Sequence, residues 1–289
     1  MAARGDAAPT LLVVGRNSFL ARHFLPTVEA GAVRAVAHDA IDRPDLLDGI
    51  GCIVSFARHP LLDREGYRPD EMDPDLRLAR ALGDRPVAYV MLSSRKVYAP
   101  GGAPFAEASP LGPTDAYGRH KLEAEERLRA LLAERLTILR LGNVFGYERI
   151  PGRRTFLSIA LDRLYAEGRI HLDMSPFVPR DFLPVEACAR ILARIAERPP
   201  GGVLNVGSGI GLPTGRLALW IIEGYGRGEL VVESPEEKDP FVLDVARLKA
   251  LYGEPITFAQ LRGSCMAIGR RLAREAAPER SSGSAPAAR

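Results

Sequence analysis

Through the first half of the chain, short apolar runs alternate with stretches of helical period. Thr10–Val14 reads as a buried strand, and a glycine turn at Gly15 leads into a helix from about Ser18 to Glu29. Val33–Ala37 is a second strand, followed by a short Asp-rich connection through Leu46 and Leu47 to a third strand at Cys52–Phe56. A helix follows over Met72–Leu82. Val87–Leu92 is almost wholly apolar, as a central parallel strand covered on both faces should be. A loop rich in Gly, Pro and Ala then runs to Asp115, before a helix over Ala116–Glu134 and a strand at Leu136–Leu141. Strands and helices taking turns in this way predict an α/β fold built on a doubly wound parallel sheet.

Beyond Gly146 the rhythm changes. A loop with Pro151, Gly152, Arg153 and Arg154 precedes a helix over Phe156–Glu167, a short strand from Ile170, a helix over Val185–Glu197 and a strand at Val203–Val206. The expected organisation is a nucleotide-binding region over 1–150, a smaller substrate-binding region over 151–275 packed on the sheet's carboxyl edge, and a Pro/Ser/Ala-rich tail over 276–289. With 46% hydrophobic and 26% charged residues in 289, the composition suits one globular core. A net charge of +3, spread along the chain, gives no footprint for nucleic acid. No run approaches the roughly 18 apolar residues of a membrane helix, and the amino terminus lacks a signal peptide's apolar segment. Cys52, Cys188 and Cys265 have no metal-ligand spacing and read as thiols in a reducing cytoplasm. The expectation is a cytoplasmic protein with no metal and no membrane contact.

Ligands of such sheets lie at the carboxyl ends of the strands. The first strand ends in Gly15–Arg16–Asn17–Ser18–Phe19–Leu20–Ala21, directly before a helix. In the expected Rossmann-like sheet, Gly15, Ser18 and Ala21 occupy the three small-residue places of a dinucleotide loop. Only the first is glycine, so an ordinary strand-to-helix turn fits equally well. After the second strand, Asp39 is placed either to bind a ribose or to cap the next segment. Arg16 is either a phosphate contact or a solvated side chain. NAD and NADP both remain open as cofactors.

Tyr117 and Lys121 stand one turn apart on a helix, on one face and within mutual reach. A phenol ionises at about 10 and is a poor base at neutral pH, but an adjacent ammonium favours its phenolate. Such a pair can move a proton at a hydroxyl or carbonyl while a hydride passes to or from a nicotinamide. Ser94, at the end of the central strand, could hydrogen-bond the reacting oxygen or only satisfy a turn.

These landmarks, with Pro113–Glu125, Arg140–Gly146, Arg180–Val185 and Asn205–Gly209, resemble the extended short-chain dehydrogenase/reductase family of nucleotide-sugar epimerases, dehydratases and ketoreductases. The resemblance reaches to about residue 270. It implies Ser94, Tyr117 and Lys121 as catalytic residues, with Lys121 also on the cofactor ribose. It implies NAD or NADP held by Gly15, Arg16, Asn17, Ser18, Phe19, Leu20, Asp39, Phe56 and Ala57 together with Tyr117 and Lys121. It implies a nucleotide-diphosphate sugar touched by Ser94, Asn143, Arg154 and Arg180, and it allows a homodimer. Arg180 could instead pair with Asp181 or Glu186. His120, on another helix face, is expected at the surface.

Dehydratases of this kind carry an Asp–Glu pair after the catalytic hydroxyl, where this chain has Arg95 and Lys96. Neither can act as the acid or base of an elimination. The short chain and the depleted glycine loop suit a 4-ketoreductase that exchanges its cofactor at each turnover. A 4-epimerase is the alternative, and a non-enzymatic NAD(P)-sensing regulator the alternative of another class.

Overall fold

The computed structural model describes residues 10–29, 33–43, 45–62, 66–102, 104–149 and 155–276. Arg153, Arg154 and the expected tail beyond Ala276 lie outside the described residues. In chain order the strands are β1 (Thr10–Val14), β2 (Val33–Val36), β3 (Ile50–Ser55), β4 (Ala88–Ser94), β5 (Leu136–Leu141), β6 (Asn143–Phe145), β7 (Arg169–Leu172), β8 (Pro179–Pro184), β9 (Gly202–Val206), β10 (Gly211–Pro213) and β11 (Glu229–Val232). The helices are α1 (Phe19–Phe24), α2 (Pro69–Met72), α3 (Pro74–Leu82), α4 (Ala116–Leu132), α5 (Phe156–Glu167), α6 (Val185–Glu197), α7 (Thr214–Tyr225), α8 (Ala246–Tyr252) and α9 (Phe258–Ala276).

The chain divides into two compact units. The first takes in Met1–Phe145, Pro179–Leu212 and Asp239–Phe258, and the second Gly146–Val178, Pro213–Lys238 and Ala259–Arg289. The first holds a six-stranded sheet in the order β2-β1-β3-β4-β5-β9, with every pairing parallel. This is the doubly wound α/β sheet expected from the alternation. Leu12, Val14, Ile53, Tyr89 and Met91 share one buried cluster with Leu76 and Leu78 of α3 and Ala124 and Leu128 of α4. The alternate residues Val13, Val54 and Val90 are also buried and point to the opposite face. There α6 packs on β3 and against α1. A second, three-stranded sheet, β10-β8-β6, belongs to the same unit.

Two helices differ from the sequence expectation, each at a proline. The helix begun near Ser18 stops at Phe24 and tightens into a 3₁₀ turn over Leu25–Thr27, where Pro26 has no N–H to continue it. The helix expected over Met72–Leu82 is two, divided at Asp73–Pro74. Asp73 caps α3 by accepting the N–H groups of Asp75 (2.9 Å) and Leu76 (3.1 Å).

In the second unit, α5 opens with a reciprocal cap between Thr155 and Ser158 and leads into β7, which pairs in parallel with β11. Arg149 ties this unit together by pairing with Asp162 at 3.0 Å and Glu275 at 3.2 Å.

Candidate active site

In the order β2-β1-β3 the winding reverses between β1 and β3, and that switch point is where such sheets open a crevice. Gly15 stands at this place with φ +82, and a Cβ on it would lie 2.9 Å from the Ala57 nitrogen and the Phe56 carbonyl carbon. No other residue type fits both the angle and the approach. Gly15, Phe56 and Ala57, all expected at a cofactor, therefore meet. The N–H groups of Gly15 and Arg16 both donate to the Val36 carbonyl, at 2.9 and 3.0 Å. Ser18 caps α1 through Ala21 (3.2 Å). Arg16 and Asn17 are exposed, Phe19 and Leu20 half-buried, and Asp39 is exposed in the turn after β2. Gly15 thus lets the ends of β1 and β3 close on each other, with Asp39 exposed beyond the end of β2, on the strand-end edge where a dinucleotide would lie.

The second cluster gathers at the end of β4. Ser94 closes that strand, and its Oγ accepts the Lys96 N–H at 3.2 Å, which starts a 3₁₀ turn over Arg95–Val97. Helix α4 starts beside this turn because Asp115 caps it through Gly118 (2.7 Å). Any side chain at Gly118 would overlap the Lys96 carbonyl oxygen. The contact fixes Tyr117, half-buried, next to the Ser94 turn. One helical turn on, Lys121 is 6% exposed, and its Nζ donates to the Leu92 carbonyl at 2.9 Å. Another turn on, Glu125 accepts the Ser93 hydroxyl at 2.5 Å and Arg140 of β5 through Nη2 at 2.7 Å. Lys121 and Glu125 thus form a ladder of polar contacts between α4 and the sheet, with Tyr117 one helical turn before it.

Around this ladder, Arg58, Asp75 and Tyr67 have no counterpart among the residues the sequence singles out, and His120 departs from its expected place. The Arg58 guanidinium lies 5.2 Å from the Tyr117 ring centroid, and its place just after Phe56–Ala57 is the only signal for it. Asp75, buried on the α3–α4 face, accepts the Tyr89 hydroxyl at 2.9 Å. Burial first, and then the Asp73 charge, pushes the Asp75 carboxyl up to about 6, against the opposing pull of Lys121. Tyr67 donates to Asp73 at 2.8 Å. Desolvation, with Asp73 adding to it, pushes the Tyr67 phenol well above its ordinary range. His120 is half-buried rather than at the surface. Its Nδ1 lies 2.6 Å from the Leu62 carbonyl, and its ring is 4.8 Å from that of Tyr67.

Asn143 begins β6 and pairs in register with Phe182 of β8. Arg180 does not use Asp181; its Nε donates to the Asp239 carbonyl at 3.2 Å. Asp181 is fully buried and accepts Ser208 N (2.6 Å), Ser208 Oγ (2.7 Å), Gly209 N (3.0 Å) and Leu243 N (3.2 Å). Burial drives its carboxyl upward, and these donors oppose the shift. Asn205 likewise takes the Tyr98 hydroxyl at 2.7 Å and donates to Phe105 at 2.8 Å. Two sequence landmarks, Arg180–Val185 and Asn205–Gly209, therefore supply internal staples as well as surface. Among the described residues, no three His, Cys, Asp or Glu side chains are grouped to hold a metal ion, and no helix is long and apolar enough to cross a membrane. Burial lifts the thiols of Cys52, Cys188 and Cys265 to about 12.

A fold with strand-end glycine, Ser94, and the Tyr117–Lys121 pair defines a class. The model of the NAD dependent epimerase/dehydratase family matches residues 61–207, just over half of the chain, and the chain belongs to that family. Membership brings a nicotinamide dinucleotide cofactor, NAD or NADP. Over 145 residues the chain is 33% identical to the dTDP-6-deoxy-L-talose 4-dehydrogenase (NAD(P)(+)) of Kitasatospora kifunensis, a match spanning 47% of this chain and 45% of that relative. Among solved structures, MoeE5 in complex with UDP-glucuronic acid and NAD superposes with a TM-score of 0.73 at 21% identity, covering 93% of this chain and 100% of its own. RMD from Pseudomonas aeruginosa, complexed with NADPH, gives a TM-score of 0.73 at 21% identity over 92% of this chain and 99% of its own.

Proposed function

We propose that the chain reduces the 4-keto group of a nucleotide-linked sugar, with Tyr117 as proton donor. The observation that carries this reading is the buried Lys121, anchored at the end of β4 beside Ser94 and one helical turn from Tyr117. The name of the Kitasatospora relative, a 4-dehydrogenase, supports the same carbon and the reverse direction of the same redox step.

The reduced cofactor, when bound, supplies a hydride to C4. Ser94 offers its hydroxyl to the C4 oxygen and orients the carbonyl. Tyr117 passes its phenolic proton to that oxygen, so a ketone plus hydride plus proton becomes an alcohol. Lys121 favours the phenolate that remains and, by the family resemblance, holds the cofactor ribose. Gly15–Leu20, Asp39, Phe56 and Ala57 are the residues assigned to the dinucleotide, and Asn143 and Arg180 to the sugar nucleotide. Arg95 and Lys96 stand where an elimination would need carboxylates, which disfavours dehydration.

The test is to incubate the purified chain with NADPH or NADH and a panel of nucleotide-linked 4-keto sugars, following loss of reduced-nicotinamide absorbance. Oxidation by at least one sugar is expected, and Tyr117→Phe should lower its rate by about 10²–10⁴-fold. Interconversion of 4-epimers without net cofactor consumption would replace the reductase by a 4-epimerase. A Tyr117→Phe chain that keeps full biological function would instead mark a cofactor-sensing regulator.

A further inference from the structure

Beside Ser94, inside the first unit, lies a cavity of about 460 Å³ walled by Arg95, Lys96, Tyr98, Thr114, Asp239 and Phe241. Here several cations converge on one residue. Arg95 gives Asp239 a forked pair of bonds, Nη1 to Oδ1 at 2.5 Å and Nη2 to Oδ2, while its guanidinium lies 3.8 Å from the Phe241 ring centroid. Lys96 Nζ stands 3.4 Å from the same carboxylate and 3.2 Å from Asp115. Arg180 holds the Asp239 carbonyl. Three cations thus meet around Asp239 at the cavity wall.

Asp239 itself is held in an unusual state. Its φ is +55, a left-handed angle at a non-glycine residue followed directly by Pro240, which the backbone alone disfavours. Partial burial pushes its carboxyl upward, yet Arg95, with Lys96 and Arg180, holds it below the ordinary carboxylate range. The surroundings thus stabilise an anion at this point against the desolvation that opposes it.

We propose that this cradle recognises a carboxylate carried by the sugar, so that the substrate is an acidic sugar nucleotide and Asp239 occupies the carboxylate position until it binds. The inference rests on the nucleotide-sugar reading above and narrows the sugar. Arg95 and Lys96 follow Ser94 within one turn, so they stand beside the hydroxyl that meets the C4 oxygen. A diphosphate hangs from C1, across the ring from C4, whereas a uronate carboxylate is attached at C5, next to C4. The cradle's nearness to Ser94 therefore favours the sugar's own anion over the phosphates.

The test is calorimetric titration of the chain, saturated with its nicotinamide cofactor, with UDP-glucuronate and UDP-glucose. The two probes share nucleotide and diphosphate and differ only at C6. The uronate should bind about tenfold tighter or more, the worth of a charge-assisted hydrogen bond. Lys96→Met and Arg95→Met should abolish the preference. Asp239→Asn should strengthen uronate binding severalfold, because a competing carboxylate is gone, and leave UDP-glucose unchanged. Far-UV circular dichroism of each variant separates loss of recognition from loss of fold, and Asp239→Asn tests the idea even if the other two do not fold. Equal affinity for both probes in the wild-type and Asp239→Asn chains overturns the acidic-sugar inference alone. Cofactor binding with neither probe bound overturns the nucleotide-sugar reading with it.

Discussion

Replacing Glu125 by alanine should cost the first unit about 3–5 kcal/mol, the range for breaking a buried ion pair by removing one partner. Glu125 is 0% and Arg140 2% exposed, so water cannot replace what is lost. In the variant, Arg140 loses its Nε and Nη2 partners, at 3.2 and 2.7 Å, and the Ser93 hydroxyl loses its acceptor. The arginine retains one hydrogen bond, from Nη1 to the Glu107 carbonyl at 3.1 Å, and the face of the Tyr98 ring at 4.8 Å. Neither neutralises the guanidinium. Against a total stability on the order of 5–15 kcal/mol, this is a large fraction. Urea unfolding followed by far-UV circular dichroism measures it as a fall in midpoint at constant slope. The double change Glu125→Leu with Arg140→Met removes both charges and roughly keeps the volume, so it should be more stable than Glu125→Ala alone. A loss below about 1 kcal/mol for Glu125→Ala, the worth of an exposed pair, would falsify the assignment of a dry ion pair.

Gly118→Ala should lower stability by about 1–3 kcal/mol through overpacking against the Lys96 carbonyl, although alanine is the better helix former by about 1 kcal/mol. It should also depress kcat/KM, and a variant with raised Tm and full activity would show that α4 does not need this approach. Asp75→Asn has a pH signature. Because the folded carboxyl titrates at about 6 and its unperturbed value is 3.8, the folded state binds the extra proton between these values, so wild-type stability falls as pH rises through that window. At about 1.4 kcal/mol per unit the fall is on the order of 3 kcal/mol. The variant should match wild type near pH 4 and exceed it at pH 7 in urea midpoint; equal midpoints at both would mean Asp75 is ionised in the fold.

Elements with a clean period were readable before any coordinates. Thr10–Val14, Leu136–Leu141, Phe156–Glu167 and Val185–Glu197 have the bounds their patterns suggest, because each buries a face whose spacing is local. Two prolines moved boundaries without changing element type: Pro26 ends α1 early, and Pro74 opens α3 behind its Asp73 cap. Strands β6, β8 and β10 carry no comparable signal. β6 and β10 have three residues each, and Asp181 of β8 meets partners 27 to 62 positions away. The site divides along the same line. Tyr117 and Lys121 stand out because their spacing along one helix is itself the geometry. Ser94 stands out because it ends the most apolar strand. Asp239 was invisible, since its partner Arg95 lies 144 residues back in the chain. Asp75 hid in a run of Asp and Pro that also reads as a plain helix start.

The division of the chain into two interleaved units bears on how the protein can be cut. The backbone passes from one unit to the other after Phe145, Val178, Leu212, Lys238 and Phe258, so neither unit exists as a contiguous fragment. A truncated chain ending at Phe145 would keep Gly15–Leu20, Ser94, Tyr117 and Lys121, the residues proposed for the phosphate loop and for catalysis. It would lack β9, which pairs with β5 along Thr137–Leu141. That would leave Ile138 and Leu139 on an open strand edge, a ready template for another chain. Ribosomal synthesis meets the same condition: until Val206 has emerged, β5 has no neighbour on that side, and the nascent sheet is sticky there.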